Sequence, residues 1–171
     1  MGKVAKKIRL LSLDTSSEDT GWCIFLDGKT NPKRYGHIKI KKKKGTNAVY
    51  EMGKEINKLI LKEKPDILIL EDLNVMKSVK TAKVLSEIIG IAIGSGLSEN
   101  KDLFYDKLPP NHWRKLIANK YADGIYPKKR EICKQWDIDM VKSIYHIDID
   151  NDNIADAILV GLAYILEFDS D

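Results

Sequence analysis

The sequence predicts an α/β fold, a central five-stranded mixed sheet of three antiparallel strands plus parallel strands, flanked by helices. Three observations carry this. Residues 1–40 hold three short strand-like runs separated by turn residues, with no helical period. A helix-length amphipathic segment then leads into ILIL at 67–70, a run apolar on both faces, as a parallel strand covered by helices requires. Beyond it, apart from a short run near 103, the apolar residues recur every three to four positions, so helices dominate the second half.

Residues 8–13 (IRLLSL) read as a buried strand, 22–26 (WCIFL) as a second and 35–40 (YGHIKI) as a third. Asp27-Gly28 supplies a turn after the second, and the three in order read as an antiparallel meander. Thr46 is placed to cap a helix carrying Val49, Met52, Ile56, Leu59 and Ile60. After the strand at 67–70, Val84, Leu85, Ile88, Ile89, Ala92 and Ile93 mark a second helix, which Gly94 and Gly96 are expected to close. Residues 103–105 suit a short strand. Pro109-Pro110 opens a helix with Trp113, Leu116 and Ile117, and Pro127 opens another with Ile132, Cys133 and Trp136. Residues 154–168 form a strongly apolar last helix. Trp113 and Trp136 follow the apolar spacing and are expected in the core, and His37, His112 and His146 take no role.

A chain of 171 residues suits one domain with a single core, spanning 1–171, with residues 1–7 as a basic, flexible start. With 43% hydrophobic and 32% charged residues, it excludes a disordered chain. No uninterrupted apolar run reaches the roughly 18 residues of a membrane span, and Asp14, Glu18 and Asp19 interrupt the apolar start before it resembles a secretory signal. Cys23 and Cys133 lack partners at zinc spacing and read as reduced, near-core residues of a cytoplasmic protein. Charge is unevenly spread. Residues 1–44 carry twelve Lys and Arg against four acids, and residues 137–171 carry one Lys against nine acids. A basic front and an acidic end suit a polyanion-binding surface beside a cation-collecting site, although solvated surface charge explains the same pattern.

Three carboxylates stand at unusual places. Asp14 follows the first buried strand, Glu71 follows the parallel strand, and Asp156 lies near the start of the apolar last helix. A charge at the end of a buried strand has to be paired or to hold a cation. Ligands of open α/β sheets gather at the carboxyl ends of strands, so Asp14 and Glu71 are neighbours if their strands are adjacent. Asp152 and Asn153 precede Asp156 by four and three residues and share its helical face. Oxygen ligands of this kind suit Mg²⁺ or Mn²⁺. Taken singly, each residue is equally well a turn, cap or helix-dipole residue.

In order and spacing, LSLDTSSEDTGW, LKEKPDILILED and ADAILVGLAYI resemble the RuvC-type Holliday junction resolvases of the RNase H-like superfamily, with a flavour of the short phage and poxvirus-like members. The resemblance runs over residues 8–166. It implies a metal-dependent endonuclease for branched DNA, with two Mg²⁺ ions per site (Mn²⁺ substituting) held by Asp14, Glu71 and Asp156. It further implies in-line hydrolysis that leaves a 5′ phosphate. A two-fold symmetric junction needs two opposed cuts and hence a homodimer; the helix over 84–93, rich in Ile and Val, is the candidate interface, and burial in the core explains it as well. The resemblance calls for no nucleotide cofactor and no membrane.

Two positions depart from the family pattern. Asn153 stands where an acid or His is usual, so Asp152 replaces it as a ligand, or Asn153 serves as a weaker one, or the position is a disabling change. Asn74 stands where some resolvases carry an aromatic wedge. Lys128 and Lys129 lie where the family places a catalytic lysine, and a solvated cluster explains them as well. Phosphate contacts are expected from Lys33, Arg34, Lys41, Lys42, Lys43 and Lys44, with Arg9, Lys77, Lys80, Lys83, Arg114, Lys115 and Arg130 extending the track. Competing readings are a non-catalytic branch-binding module and a related nuclease for flaps, forks or RNA–DNA hybrids. A third is an actin-like ATPase, which requires a duplicated fold that 171 residues do not accommodate.

Overall fold

The computed structural model describes residues 7–41, 43–73 and 78–168, the side chain of Arg130 excepted. In chain order these form β1 (Arg9–Asp14), β2 (Asp19–Leu26), β3 (Arg34–Lys39), α1 (Thr46–Glu63), β4 (Ile67–Glu71), α2 (Val79–Glu99), β5 (Phe104–Leu108), α3 (Pro110–Tyr121), α4 (Arg130–Tyr145) and α5 (Asp152–Phe168). The sheet order is β3-β2-β1-β4-β5. β1–β2 and β2–β3 are antiparallel, and β1–β4 and β4–β5 are parallel, as the sequence pattern requires.

Alternation along the two central strands sorts the helices into layers. Leu11 and Leu13 of β1 and Leu68 and Leu70 of β4 pack with Val49, Met52, Ile56 and Ile60 of α1 and Ile88, Ile89 and Ala92 of α2. Leu10 and Ile69 face the other way, onto Trp113 and Ile117 of α3, Val141 of α4 and Ile158, Leu159 and Leu162 of α5. Each fully buried Leu or Ile contributes about 1.5–3 kcal/mol, so both central strands are stabilised from both sides.

α5 lies directly on β1 and β2. Ser12 Oγ donates to the Ala157 carbonyl at 2.6 Å. A Cβ on Gly161 would stand 2.5 Å from Phe25 Cε2, and one on Gly21 would stand 1.8 Å from the Asn153 carbonyl oxygen. Only hydrogen atoms at these glycines allow the helix to sit so close, and its first turn is thereby fixed against β2.

Several boundaries differ from expectation. Thr46 is the first residue of α1 and not its cap; Gly45 takes that place at φ 56° without a side-chain hydrogen bond. α2 begins at Val79, capped by Ser78, and runs through Gly94 and Gly96 to Glu99. A Cβ on Gly96 would stand 2.5 Å from Leu103 Cδ2, so that glycine makes room for Leu103 and does not end the helix. β5 extends to Leu108, because pairing with β4 continues to the Glu71–Leu108 register. α4 starts at Arg130, three residues after Pro127. Trp113 is fully buried, whereas Trp136 is half-buried, its ring 6.3 Å from that of Tyr126. Among the described residues α2 alone is long and apolar enough to cross a membrane, although no unbroken apolar run is. Here it packs against α1 through Ile88, Ile89 and Ala92. Both cysteines are free and buried, and burial pushes the Cys23 thiol well above its usual range.

Gly21→Ala is expected to lower stability by roughly 1–3 kcal/mol, because the new methyl meets the α5 backbone and not a yielding side chain. Urea denaturation reads this directly, and an unchanged midpoint would contradict the close seat of α5.

Candidate active site

Asp14 ends β1 and Glu71 ends β4. The two strands are parallel neighbours, with Leu13 beside Leu70, so both carboxylates leave the sheet together at its carboxyl end. Asp156 arrives from the second turn of α5, whose first turn is held against β2. One carboxylate oxygen from each lies within 4.8 Å of the others, and all three residues are half-buried. Asn151 caps α5, its Oδ1 accepting from the Ile154 N–H at 3.1 Å. Asn151 Nδ2 donates to Asp19 Oδ2 at 3.2 Å, and His37 Nδ1 lies 2.7 Å from Asp19 Oδ1, so the cap is tied to β2 and β3.

A fourth carboxylate stands behind the three. Asp137 of α4 is fully buried and is held by a two-pronged interaction from Arg114, with Nε to Oδ1 at 3.1 Å and Nη2 to Oδ2 at 2.7 Å. Arg114 Nη2 also lies 3.5 Å from Asp156 Oδ2. Burial works against the Arg114 charge, but the Asp137 hydrogen bonds and the charges of Asp137, Asp156 and Glu71 more than reverse this, so the guanidinium stays protonated. Burial, then the charges of Asp137, Asp14 and Glu71, push the Asp156 carboxyl well above the usual carboxylate range, with Arg114 opposing. Asp137 is raised too, by burial first, against Arg114 and its hydrogen bond with Asp156.

These residues fit a divalent cation. Asp156 Oδ1 is buried and finds no hydrogen-bond partner among the described residues. Beside it the Asp14 and Glu71 oxygens complete a hard, all-oxygen donor set of the kind that Mg²⁺ and Mn²⁺ select.

The other candidate residues are distributed as follows. Asp152 ion-pairs with Lys134 of α4, which turns its carboxylate toward that helix, while Asn153 lies three residues before Asp156 on the same face of α5. Lys128 Nζ packs 3.5 Å from the Tyr126 ring centroid, and Lys129 is the residue before α4; both are exposed.

The basic residues divide between the two ends of the sheet. Asp19 pairs with Lys39 at the Asp14 end of β2, so Lys41, Lys43 and Lys44, which follow β3, emerge there. α2 and α3 begin beyond the carboxyl ends of β4 and β5, which puts Lys80, Lys83 and Lys115 on that side as well. Arg9 and Arg34 belong to the opposite end, where Arg9 pairs with Leu26 and Arg34 with Ile24, and Lys33 adjoins them. There Arg34 ion-pairs with the buried Glu63 and Arg9 donates to the Glu63 carbonyl. Arg114 is not a surface phosphate contact either, since its side chain is 11% exposed and committed to Asp137. Lys42, Asn74, Lys77 and the Arg130 side chain lie outside the described residues.

No protein-family model matches the sequence, and a comparison with curated proteins finds no match. Solved structures are similar in fold. Thermus thermophilus RuvC in complex with a Holliday junction substrate superposes with a TM-score of 0.69 at 10% identity, over 95% of this chain and 96% of that one. A second structure of Thermus thermophilus RuvC gives 0.69 at 13% identity over the same shares. The fold is that of RuvC. The yeast mitochondrial Holliday junction resolvase gives 0.61 at 13% identity, over 93% of this chain and 78% of that one. With so few shared residues, these RuvC-like structures establish the architecture and leave the chemistry to the residues above.

Asp137, Lys134, Asn151 and the roles of Trp113 and Arg114 were not singled out in the sequence. Asp137 lies inside a helix with no strand end to mark it, and Arg114 stands among other basic residues. Asn151 alone carried a signal, an Asn directly before a helix.

Asp156→Asn is expected to stabilise the metal-free protein at pH 7, where the raised Asp156 carboxyl opposes folding. A carboxyl whose folded pKa is raised opposes folding once pH exceeds its unfolded value of about 4. The gain should therefore fade as pH falls through about 4, below which both states are protonated. Calorimetric unfolding in EDTA at the two pH values measures it, and a destabilised variant at pH 7 would contradict the crowding.

Proposed function

We propose that this chain is a metal-dependent endonuclease that cuts branched DNA, four-way junctions above all. The observation that carries the reading is the meeting of Asp14, Glu71 and Asp156 within 4.8 Å at the carboxyl ends of the parallel strands of a RuvC fold. A RuvC structure of this architecture is described with a Holliday junction substrate, which favours the same substrate class here. We take the chain as a single nuclease domain acting in the cytoplasm.

Asp14, Glu71 and Asp156 would hold the cation, Mg²⁺ first and Mn²⁺ as substitute, with Asn153 offering a neutral carbonyl oxygen. Divalent ions bound there would activate water and neutralise the charge that develops on the phosphate and the leaving oxygen. Asp14, at the end of the central strand beside the Glu71 strand, would be the carboxylate that the set shares between its two sides. Asp156 would lend its buried Oδ1, which has no hydrogen-bond partner among the described residues. Lys41, Lys43, Lys44, Lys80, Lys83 and Lys115, all at the carboxyl end of the sheet, would place DNA backbone across the site without reading its sequence. Lys134 joins Lys128 and Lys129 as a candidate for contact with the scissile phosphate, since it already reaches the acidic start of α5. A four-way junction is two-fold symmetric, so paired cuts call for a homodimer. The outward strip of α2, with Val79 and Leu97 exposed, is its proposed interface.

The charge missing at Asn153 favours a second reading, a module that binds branches without cutting them. A labelled synthetic junction in Mg²⁺ or Mn²⁺ separates the two. Symmetric paired nicks are expected, lost by more than about 100-fold in Asp14→Asn, since even supporting residues of metal sites cost 10–100-fold. Tight binding with no nick in either metal would leave only the binding module. Flaps, forks and RNA–DNA hybrids in the same assay define the substrate range.

Asn153→Asp is expected to raise Mg²⁺ affinity by tenfold or more. A full charge about 4 Å from the ion contributes roughly 1–4 kcal/mol, and about 1.4 kcal/mol is a factor of ten. A Mg²⁺ titration of the cleavage rate measures this, and a rate profile unchanged from the parent would remove Asn153 from the ligand set.

A further inference from the structure

Glu71 and Asp156 come from different elements, yet both are met by adjacent residues of one helix. Trp113 is fully buried, and its indole Nε1–H donates to Glu71 Oε2 at 3.1 Å. The next residue, Arg114, places Nη2 3.5 Å from Asp156 Oδ2. The two side chains also hold each other, the guanidinium carbon lying 4.1 Å from the Trp113 ring centroid in a cation–π contact.

Asp137 fixes the arginine from a third side. Its oxygens accept from Nε at 3.1 and 3.2 Å and from Nη2 at 2.7 Å. Such a planar, two-pronged pair sets the orientation of the guanidinium as well as its position, and neither partner is exposed enough to relax into water, with side chains 11% and 0% exposed. Pro109-Pro110 starts α3 immediately after β5, directing the first turns of α3 beneath the carboxyl ends of the strands.

We propose that Trp113 and Arg114, anchored by Asp137, form a positioning clamp for the divalent-cation site, Trp113 setting Glu71 and Arg114 setting Asp156. The proposal rests on the reading of the carboxylate cluster as a metal centre. A positive group beside the site cannot attract a cation, so the contribution of Arg114 is geometric: it fixes the direction of a ligand that would otherwise turn away from its neighbours. Partners of this kind govern metal affinity through the orientation of the ligands they touch. The need is greater here because Asn153 brings no charge, and the carboxylates that remain must be presented without loss of alignment.

The test is calorimetric titration of Mn²⁺ into the whole chain without DNA, with circular dichroism melts in EDTA as a control for folding. Trp113→Phe keeps the ring and removes only the N–H donor. Arg114→Lys keeps the charge and removes the fork. Each is expected to weaken Mn²⁺ binding on the order of tenfold while the metal-free melt shows a folded protein. A purely structural role would shift the melt and leave Mn²⁺ affinity alone. Folded variants that bind Mn²⁺ as tightly as the parent overturn the clamp and leave the metal-centre reading intact. A parent chain that takes up no Mn²⁺ overturns both.

Discussion

The structure is built around a crowding of negative charge. Asp14, Glu71 and Asp156 bring oxygens within 4.8 Å of one another, with Asp137 buried behind them. Among the described residues, Arg114 is placed against Asp137 and Asp156. At an effective dielectric constant of about 20, two ionised carboxylates at that separation repel by roughly 3 kcal/mol. The apolar body of α5 offsets this. Ile158, Leu159, Leu162 and Ile165 are buried, at about 1.5–3 kcal/mol each, and the Ser12 hydrogen bond and the close seats at Gly21 and Gly161 hold the helix against β1 and β2. The acidic end of α5 is carried into the cluster by a helix whose remaining length has every reason to stay on the sheet.

The same sheet separates two populations of positive charge. Lysines after β3 and at the starts of α2 and α3 come out beside the carboxylates. Arg9 and Arg34 come out at the far end, where they close on Glu63 and tie the end of α1 to β1 and β3. Antiparallel pairing of β2 with β3 is the cause: Arg34 and Lys39 are five residues apart and stand at opposite ends of one strand. The basic N-terminal third is thus two surfaces, of which one adjoins the site.

Much of the site was legible because its parts obey local rules. A charge directly after a both-faces-apolar run, as at Asp14 and Glu71, marks a strand end whose neighbours can be inferred, and the helical spacing of Asn153 and Asp156 follows from 3.6 residues per turn. Residues whose roles depend on a partner far away in sequence were not legible. Trp113 satisfies the apolar period of α3 whether or not its N–H meets Glu71, and Arg114 looks like any exposed helix arginine until Asp137, 23 residues later, is brought against it. Gly96 carries the usual sign of a helix end and is instead a space for Leu103.

The sequence by itself determined the order of elements, the mixed sheet, the two strand-end carboxylates and the acidic start of the last helix, because hydrophobic period and strand-end charge are properties of short segments. Tertiary structure alone decided which carboxylates meet, which arginine lies among them, and at which end of the sheet each lysine emerges. Those depend on strand register and on how closely a helix can approach a strand, and both are set by contacts between residues tens of positions apart.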